Sequence, residues 1–352
     1  MQNAAVVQAL QVETVPAVLL RLSVEDVQQA EIINGCFFCI SDTKGINLNH
    51  NTEYCLTFSN NMGRHIISTE YEKPLLKKMA DITGLRASSK NNFPKLLFTQ
   101  SLPFSEKNCQ ILHGSYKILV RSLPEKNWKE TEFNLLKVHT HPDISDVICQ
   151  VPEKRDGSCD FLILSFVYYQ VYKDLLLTGG LPLHGGLIEL DNKGVIIAGS
   201  SGTGKSTCCS RIPKPWNSIC DDEVMIMPQL KSDYNVHPVP TWSEYLFNPD
   251  SKKTWDVENG FSFSALFFLE KADTDASVLL GQGRAAVKIY QSAMESFSRY
   301  FPYILEIDQK KIRVIVFESA CDIAKKVPAF KLSVSEFGSF WNNIEHEINK
   351  LN

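Results

Sequence analysis

The amino-acid sequence predicts an α/β fold with some α+β character, preceded by a β-containing region. Two observations carry this prediction. Residues 1–150 alternate short apolar runs with turn-forming residues, which is typical of strands. Further along, strand-like and helix-like segments alternate around a glycine-rich loop at residues 199–206. A polar stretch at residues 151–158 divides the chain into two predicted regions, 1–158 and 159–352.

Composition and charge exclude several classes of protein. Of the 352 residues, 44% are hydrophobic and 22% are charged, which is close to average globular usage and unlike a disordered or fibrous chain. A formal net charge of -4 gives no general attraction to nucleic acid or to an anionic membrane, so we expect neither partner. The first twenty residues lack the positive charge of a signal peptide. Cysteines within apolar stretches favour the cytoplasm as the compartment.

The longest apolar stretch predicts a buried helix over Phe161–Leu177. Gln170, Lys173 and Asp174 interrupt it, so it falls short of the roughly 20 apolar residues that a membrane span needs. The pair Gly179–Gly180 follows directly, and glycine readily ends a helix in the left-handed conformation.

A β-hairpin is predicted next, with strands at Gly186–Leu190 and Val195–Ala198 joined by Asp191–Gly194. So short a link forces the two strands to run antiparallel, because parallel neighbours need a crossover of about a dozen residues or more. The hairpin delivers the chain into the glycine-rich loop. A short helix should then run from Gly204 toward Arg211 before two prolines end it, and a short strand is predicted at Asn217–Cys220.

The glycine-rich loop fits the pattern G-x-x-x-x-G-K-[ST]. Its residues are Gly199, Ser200, Ser201, Gly202, Thr203, Gly204, Lys205 and Ser206. Glycines let successive N–H groups point inward at phosphate oxygens, and the start of the following helix adds positive charge. At average glycine content, chance would produce the four fixed positions in about one chain in a hundred of this length. The pattern therefore predicts a phosphate-binding loop.

Two residues of the loop carry specific chemistry toward a nucleotide. Lys205 can reach the terminal phosphates, and the hydroxyl of Ser206 can coordinate Mg²⁺. ATP with Mg²⁺ is accordingly the predicted cofactor. The chain has neither an N-K-x-D motif for reading guanine nor the L-S-G-G-Q signature of transporter ATPases. GTP as the phosphoryl donor stays open.

An acidic pair, Asp221 and Asp222, follows the short strand soon after the loop. Two adjacent carboxylates beside a metal can supply both a metal ligand and a general base. We assign Asp221 as the base and Asp222, together with Ser206, as a ligand of Mg²⁺. The sequence leaves the reverse assignment of the two aspartates open.

This set of motifs resembles the HPr kinase and phosphoenolpyruvate carboxykinase-like superfamily. The resemblance lies in the pair His184–Gly185 before the hairpin, the loop segment Ser201–Thr207 and the apolar strand that ends in Ile219–Glu223. Within the superfamily, this compact set of motifs is similar to that of HPr kinase-related kinases of peptide-modification cassettes. The resemblance implies a mixed-sheet P-loop kinase domain and adds Thr207 to the nucleotide-binding residues. It also implies that His184 lies near the acidic pair and assists catalysis with Asp221 and Lys205.

Some further features are less specific. Arg284 and Lys288, four residues apart on a predicted helix, could supply positive charge to a transition state. The H-x-H-x-D pattern of residues 139–143 lacks a further ligand cluster, which favours structural histidines over a metal site. The C-x-x-C pair at residues 36–39 likewise favours buried thiols. Helical periodicity over Ser335–Leu351 predicts a docked C-terminal helix whose apolar face begins at Phe337.

The sequence therefore predicts an ATP-dependent kinase that transfers a phosphoryl group to a hydroxyl, a serine of a peptide or protein. Residues 1–158 would then recognise this substrate or a partner. Two alternatives stay open. One is a nucleotide-gated binding module or accessory subunit that transfers nothing, and the other is a small-molecule kinase of the same superfamily. The sequence does not decide whether the chain forms a homo-oligomer.

Overall fold

The structure is a computed structural model. It describes residues 53–58, 62–88, 93–102, 123–229, 233–248 and 250–351. These residues form two β-sheets with helices packed around them, and they belong to one compact unit that spans residues 52–352. The second sheet contains both parallel and antiparallel neighbours. The predicted α/β class with a mixed sheet is therefore confirmed. The C-x-x-C pair at residues 36–39 lies outside the described residues.

Within the described residues, six strands form the first sheet in the order β1-β2-β3-β6-β5-β4. They are β1 (Tyr54–Thr57), β2 (Gly63–Ser68), β3 (Lys95–Thr99), β4 (Lys129–Phe133), β5 (Leu136–Thr140) and β6 (Val147–Gln150). β2, β3 and β6 run parallel, and the other neighbours run antiparallel. A 3₁₀ turn (Glu70–Glu72) and helix α1 (Lys73–Thr83) provide the crossover between the parallel strands β2 and β3. The strands predicted before residue 150 are thus confirmed for the described residues.

Helix α2 (Gly157–Leu177) connects the two sheets, and it is the predicted apolar helix with an earlier start. It is apolar nearly all round because it packs against both sheets. The ring of Phe166 lies 5.7 Å from the ring of Phe133 at the end of β4. On the other side, the hydroxyl of Tyr172 donates a hydrogen bond of 2.9 Å to Glu223 of the second sheet. The predicted division between residues 158 and 159 falls within this helix and stays a prediction.

No helix in the described part of the chain has both the length and the apolar character that crossing a membrane requires.

In the part of the chain that the structure describes, eight strands form the second sheet, with β11-β10-β7-β8-β12-β14-β13 as its main path and β9 beside β7. They are β7 (Leu181–Leu190), β8 (Lys193–Ala198), β9 (Asn217–Cys220), β10 (Glu223–Pro228), β11 (Tyr234–Pro238), β12 (Phe261–Lys271), β13 (Ala276–Leu279) and β14 (Ala329–Val334). β12 runs parallel to β8 and β14, and the other pairs are antiparallel. β11 also pairs with β12, so five of the strands form a closed ring.

Five helices of the described chain segments surround this sheet. They are α3 (Lys205–Arg211), α4 (Trp242–Phe247), α5 (Gln282–Ser298), α6 (Glu306–Lys326) and α7 (Trp341–Lys350), with a 3₁₀ turn at Phe301–Tyr303. One face of the sheet, with Ile197 and Phe267, shares a core with α3 and α7. The opposite face, with Ala198 and Phe268, shares a core with α5, α6 and α2. Side chains alternate in this way because successive residues of a strand point to opposite faces.

The predicted hairpin, short helix and short strand around the loop are present, but β7 begins earlier than predicted, at Leu181, and the turn has two residues instead of four. β7 and β8 form the antiparallel hairpin, and the turn contains only Asp191 and Asn192. Both residues have positive φ, +50° and +63°, which is the backbone of a two-residue hairpin turn and suits Asn and Asp. α3 ends at Arg211, and β9 spans the predicted Asn217–Cys220.

The C-terminal helix begins later than predicted. α7 starts at Trp341, and Phe337 is 90% exposed, so including Phe337 in the buried face was wrong. The side chain of Asp275 accepts hydrogen bonds from the N–H and the hydroxyl of Ser335, at 2.6 and 2.8 Å. These bonds hold a turn before the helix. Phe340, at 0% exposure, is the first buried residue of the docked face.

Candidate functional site

The glycine-rich loop lies at one edge of the second sheet, between the end of β8 at Ala198 and the start of α3 at Lys205. Gly202 and Gly204 have φ values of +78° and +102°, in the left-handed region that side chains rarely adopt. Open space surrounds both positions, since a Cβ atom there would meet no heavy atom within 4 Å. The backbone conformation, and not a shortage of room, therefore requires glycine at these two positions of the pattern.

Hydrogen bonds within the loop fix its shape. The N–H and the hydroxyl of Thr203 both donate to the carbonyl of Ser200, at 3.2 and 2.8 Å. Lys205 is buried, and its ammonium donates to the carbonyl of Gly199 at 2.8 Å and to that of Ser200 at 3.4 Å. Burial lowers the pKa of Lys205, and the nearby carboxylates of Glu295 and Asp222 oppose the shift. The ammonium of Lys205 thus donates hydrogen bonds to its own loop, and a phosphate oxygen could replace these carbonyls as the acceptor.

The acidic pair occupies the turn between β9 and β10 at the same edge of the sheet. The hydroxyl of Thr241 donates to Asp221 Oδ1 at 3.1 Å, whereas Asp222 Oδ1 lies 3.5 Å from His184 Nδ1. The carbonyl of Asp222 accepts a bond of 2.9 Å from the N–H of Gly185. The two carboxylates therefore have different partners. This difference is compatible with the two predicted roles, a general base and a metal ligand.

Gly186 on β7 allows α3 and the acidic turn to pack closely against this strand. A Cβ atom at Gly186 would lie 2.3 Å from Cys209 Sγ on α3, 3.2 Å from the carbonyl of Cys220 and 3.4 Å from Cα of Asp221. The absence of a side chain lets both the helix after the loop and the strand before the acids pack tightly against β7. This glycine follows the pair His184–Gly185, so the third residue of the His-Gly-Gly sequence serves close packing.

His184 lies on β7 with a charged group on each side of its ring. Its Nδ1 is 3.5 Å from Asp222 Oδ1, and its Nε2 is 3.9 Å from Glu295 Oε2 on α5. The carbonyl of His184 accepts a bond of 3.0 Å from the hydroxyl of Ser292, also on α5. Burial lowers the pKa of His184, and the positive charge of Lys205 lowers it further against the two carboxylates. The predicted catalytic residues His184, Asp221 and Lys205 therefore share one edge of the sheet.

A buried ion pair stabilises the start of β10, directly after the acidic turn. Glu223, the first residue of β10, is 1% exposed and lies 2.6 Å from Arg299. The hydroxyl of Tyr172 on α2 also donates to it at 2.9 Å. Burial raises the pKa of Glu223, and the charge of Arg299 opposes the shift. The site is thereby fixed to both α2 and the residue that follows α5.

Sequence reasoning missed the part of the site that comes from α5 and the residue after it. It selected Arg284 and Lys288, which are exposed. The ammonium of Lys288 lies 5.4 Å from the ring centre of Phe268, which is in register with Ala198. Ser292, Glu295 and Arg299 lie on the same helical face as Lys288, and they contact His184 or Glu223. From Lys288 to Arg299, successive members of this face are three or four residues apart. This spacing was the available signal, but the sequence did not show that the face meets the loop.

The predicted Mg²⁺ ligands fit an ion that arrives with a nucleotide. Ser206 is exposed, and the side chain of Asp222 is 31% exposed. Among the described residues no group of three or more His, Cys, Asp or Glu side chains is arranged to hold a metal. Mg²⁺ usually retains several waters and binds one or two protein groups together with substrate phosphates. An exposed hydroxyl and a partly exposed carboxylate match that requirement.

The histidines of the first sheet have hydrogen-bonding partners of their own. His139 Nε2 lies 3.1 Å from the side-chain oxygen of Gln150. His141 Nε2 lies 3.0 Å from the carbonyl of Lys126, and its Nδ1 accepts from the N–H of Asp143 at 3.1 Å. Both ring nitrogens of His141 are therefore engaged. The H-x-H-x-D pattern forms local hydrogen bonds at the end of β5.

The chain matches one protein-family model and a large number of solved structures. The protein-family model described as "SynChlorMet cassette protein ScmC" matches residues 147–350, more than half of the chain. The HPr(Ser) kinase/phosphatase from Coxiella burnetii is a solved structure with 12% sequence identity and a TM-score of 0.26. The match covers 48% of this chain and 97% of that chain. No curated protein matches. The matched family region includes the loop, the acidic pair and α5.

Proposed function

The chain belongs to the family described as SynChlorMet cassette protein ScmC, and from this premise we propose that it is an ATP-dependent kinase. Its acceptor would be a hydroxyl group, a serine of a peptide or protein. One observation carries the proposal. Lys205, the acidic pair and His184 converge on the edge of the sheet where the glycine-rich loop begins, with His184 3.5 Å from Asp222. A nucleotide-binding loop alone does not require such a group of titratable side chains.

The loop would bind the phosphates of ATP. The segment from Gly199 to Thr207 offers backbone N–H groups, and Lys205 can exchange the carbonyl of Gly199 for a phosphate oxygen. Ser206 and Asp222 would hold Mg²⁺, which supplies neutralising charge on the phosphates when it is bound. Lys205 then stabilises the charge on the transferred group, and the exposed Lys288 and Arg284 could add to it.

Asp221 is the proposed general base. It would accept the proton of the acceptor hydroxyl while the new O–P bond forms and the bond between the γ-phosphorus and the bridging oxygen breaks. ADP then leaves with the electrons of the broken bond. The hydroxyl of Thr241 donates to Asp221 Oδ1 and so orients the carboxylate. His184 would orient the carboxylate of Asp222 and would place a polar imidazole ring beside the transferred phosphoryl group.

Transfer from γ-labelled ATP tests the proposal. Candidate acceptors are serine-containing peptides, above all any small peptide encoded beside the gene. We expect label on the acceptor with the wild-type chain and with Asp250→Asn, a control at an exposed carboxylate, and loss of label with Asp221→Asn. General base catalysis contributes about 10²- to 10⁴-fold, so the loss should be of that order.

Other outcomes would favour the alternatives. Tight ATP binding with no transfer to any acceptor would favour a nucleotide-gated binding module, and transfer only to small molecules would favour a small-molecule kinase. Equal transfer by the wild type and Asp221→Asn would remove Asp221 from the proposed role. A chain that does not bind ATP, and for which Lys205→Met changes nothing, would contradict the proposed loop function.

A further inference from the structure

Helix α6 carries apolar side chains on two opposite sides. Its inner side, with Ile312, Val316 and Ile323, is buried in the core that α6 shares with the second sheet. Its outer side presents Val314 and Phe317 to solvent, and their exposed fractions are 56% and 49%. A surface helix needs one apolar face to pack on its own domain, so the outer face requires a separate explanation.

The apolar residues of the outer side have the spacing of a helix–helix interface. Ile307, Val314 and Cys321 are seven residues apart, and Phe317 follows Val314 by three. Seven residues make about two helical turns, so these side chains line up along one side of α6. Apolar residues at such positions form the seam along which one helix packs lengthwise on another. We call these four residues the outer seam.

The helix before α6 widens this apolar surface. Only residues 299–305 separate α5 from α6, and the two helices pack against each other as an antiparallel hairpin. The ring of Phe317 lies edge-on to the ring of Tyr290 on α5, with the ring centres 5.9 Å apart. Val287, three residues before Tyr290, is exposed. A contiguous exposed apolar patch of this kind marks an interaction surface.

Charged residues beside the outer seam alternate in sign along the helix. The order from the start of α6 is Glu306, Lys311, Glu318 and Lys325, and all four are exposed. Glu318 makes no ion pair with any described residue, and Lys311 lies 3.8 Å from Asp308 in an exposed pair that contributes little. When this series is read in reverse, every sign is opposite. Two antiparallel copies of α6 therefore match in charge, whereas two parallel copies would place like charges together.

We propose that the outer seam of α6 binds the outer seam of a second copy of this chain. The two helices run antiparallel, with a twofold axis between Val314 and Phe317. Each Val314 then packs on Phe317 of the second copy, and each Lys311 lies beside Glu318 of the second copy. Such an interface uses the same surface on both copies, so it closes as a dimer. It does not depend on the proposed kinase function.

The first experiment measures the mass of the full chain by analytical ultracentrifugation over a series of concentrations. We expect the wild type to sediment as a dimer. Val314→Lys should be monomeric where the wild type is dimeric, because it places an unpaired charge in each half of the seam. Phe247→Lys on α4, at a ring that is 89% exposed, is the matched control and should dimerise as the wild type does. A monomeric wild type, or a Val314→Lys variant that dimerises equally well, would overturn the proposal.

The second experiment tests the antiparallel arrangement by charge reversal. Lys311→Glu and Glu318→Lys should each raise the Kd of the dimer about 5- to 30-fold at low salt, because each turns two attractive pairs into repulsive ones. The combined variant should return to within about threefold of the wild-type Kd. Its recovery could not come from a damaged fold, since it carries both substitutions. Equal Kd values for all the variants, or no recovery in the combined variant, would contradict the antiparallel seam.

Discussion

His237 on β11 makes the stability of the fold sensitive to acid. Its Nδ1 donates to the carbonyl of Val257 at 3.1 Å, and the ring of Phe58 lies edge-on with its centre 5.2 Å away. Nε2 is buried and has no hydrogen-bond partner among the described residues. The backbone of Gly260 packs so closely that a Cβ atom there would lie 2.4 Å from Nε2. A proton added to Nε2 would thus be buried without an acceptor.

Burial accordingly lowers the pKa of His237 from the model-peptide value of 6.5 to about 4. The unfolded chain then binds more protons than the folded chain between these two values, so stability is present above pH 6.5 and is lost as the pH falls toward 4. Between pH 7 and pH 5 the difference in proton binding amounts to a loss of about 2 kcal/mol in the free energy of unfolding.

Urea denaturation at pH 7 and pH 5 measures this loss. His237→Gln should remove about 2 kcal/mol of the difference between the two pH values, even if the variant is less stable at both. His346→Gln, at an exposed histidine of α7, is the matched control and should retain the wild-type difference. The reasoning would be refuted if His237→Gln and the wild type lost the same free energy between pH 7 and pH 5.

Four further substitutions test other parts of the structure. Gly204→Ala should cost about 1–2 kcal/mol of stability and weaken ATP binding, because alanine resists φ near +102°; equal ATP affinity by calorimetry would contradict this. Arg299→Met should cost about 3 kcal/mol in urea denaturation, since it leaves Glu223 buried without its counter-charge; a change below 1 kcal/mol would speak against the ion pair. Phe340→Ala should lower the free energy of unfolding by about 3–5 kcal/mol because the ring is buried. Phe337→Ser should lower it by less than about 0.5 kcal/mol because that ring is exposed; similar losses for the two variants would indicate that Phe337 is also buried in the docked face.

The loop and its neighbours could be predicted because their signals are local. Gly202 and Gly204 are needed for the backbone angles of the loop itself. The hairpin turn at Asp191 and Asn192 follows from the preference of these residues for positive φ. β9 could be placed because Ile219 and Cys220 end a short segment between Pro215 and the acidic pair. Such features depend on residues within a few positions of each other.

The partners of these motifs could not be predicted in the same way. Sequence spacing selected Arg284 and Lys288 for the positive charge of α5, but Ser292 and Glu295 are the α5 residues that contact His184. Residue 295 is far from residue 184 in the chain, and only the packing of α5 against β7 brings them together. The start of α7 likewise depends on Asp275, a residue distant from Ser335 in sequence.

By itself, the sequence determined an α/β chain with a glycine-rich loop and an acidic pair close behind it. The conformation of the loop is encoded in contiguous residues, since its glycines adopt the backbone angles that the loop needs. Only the tertiary structure decided that α5 forms a wall of the site, that Asp221 and Asp222 have different partners, and that His184 lies between two carboxylates. These contacts join separate segments of the chain, so they arise from the burial of apolar faces on a shared core and not from any local pattern.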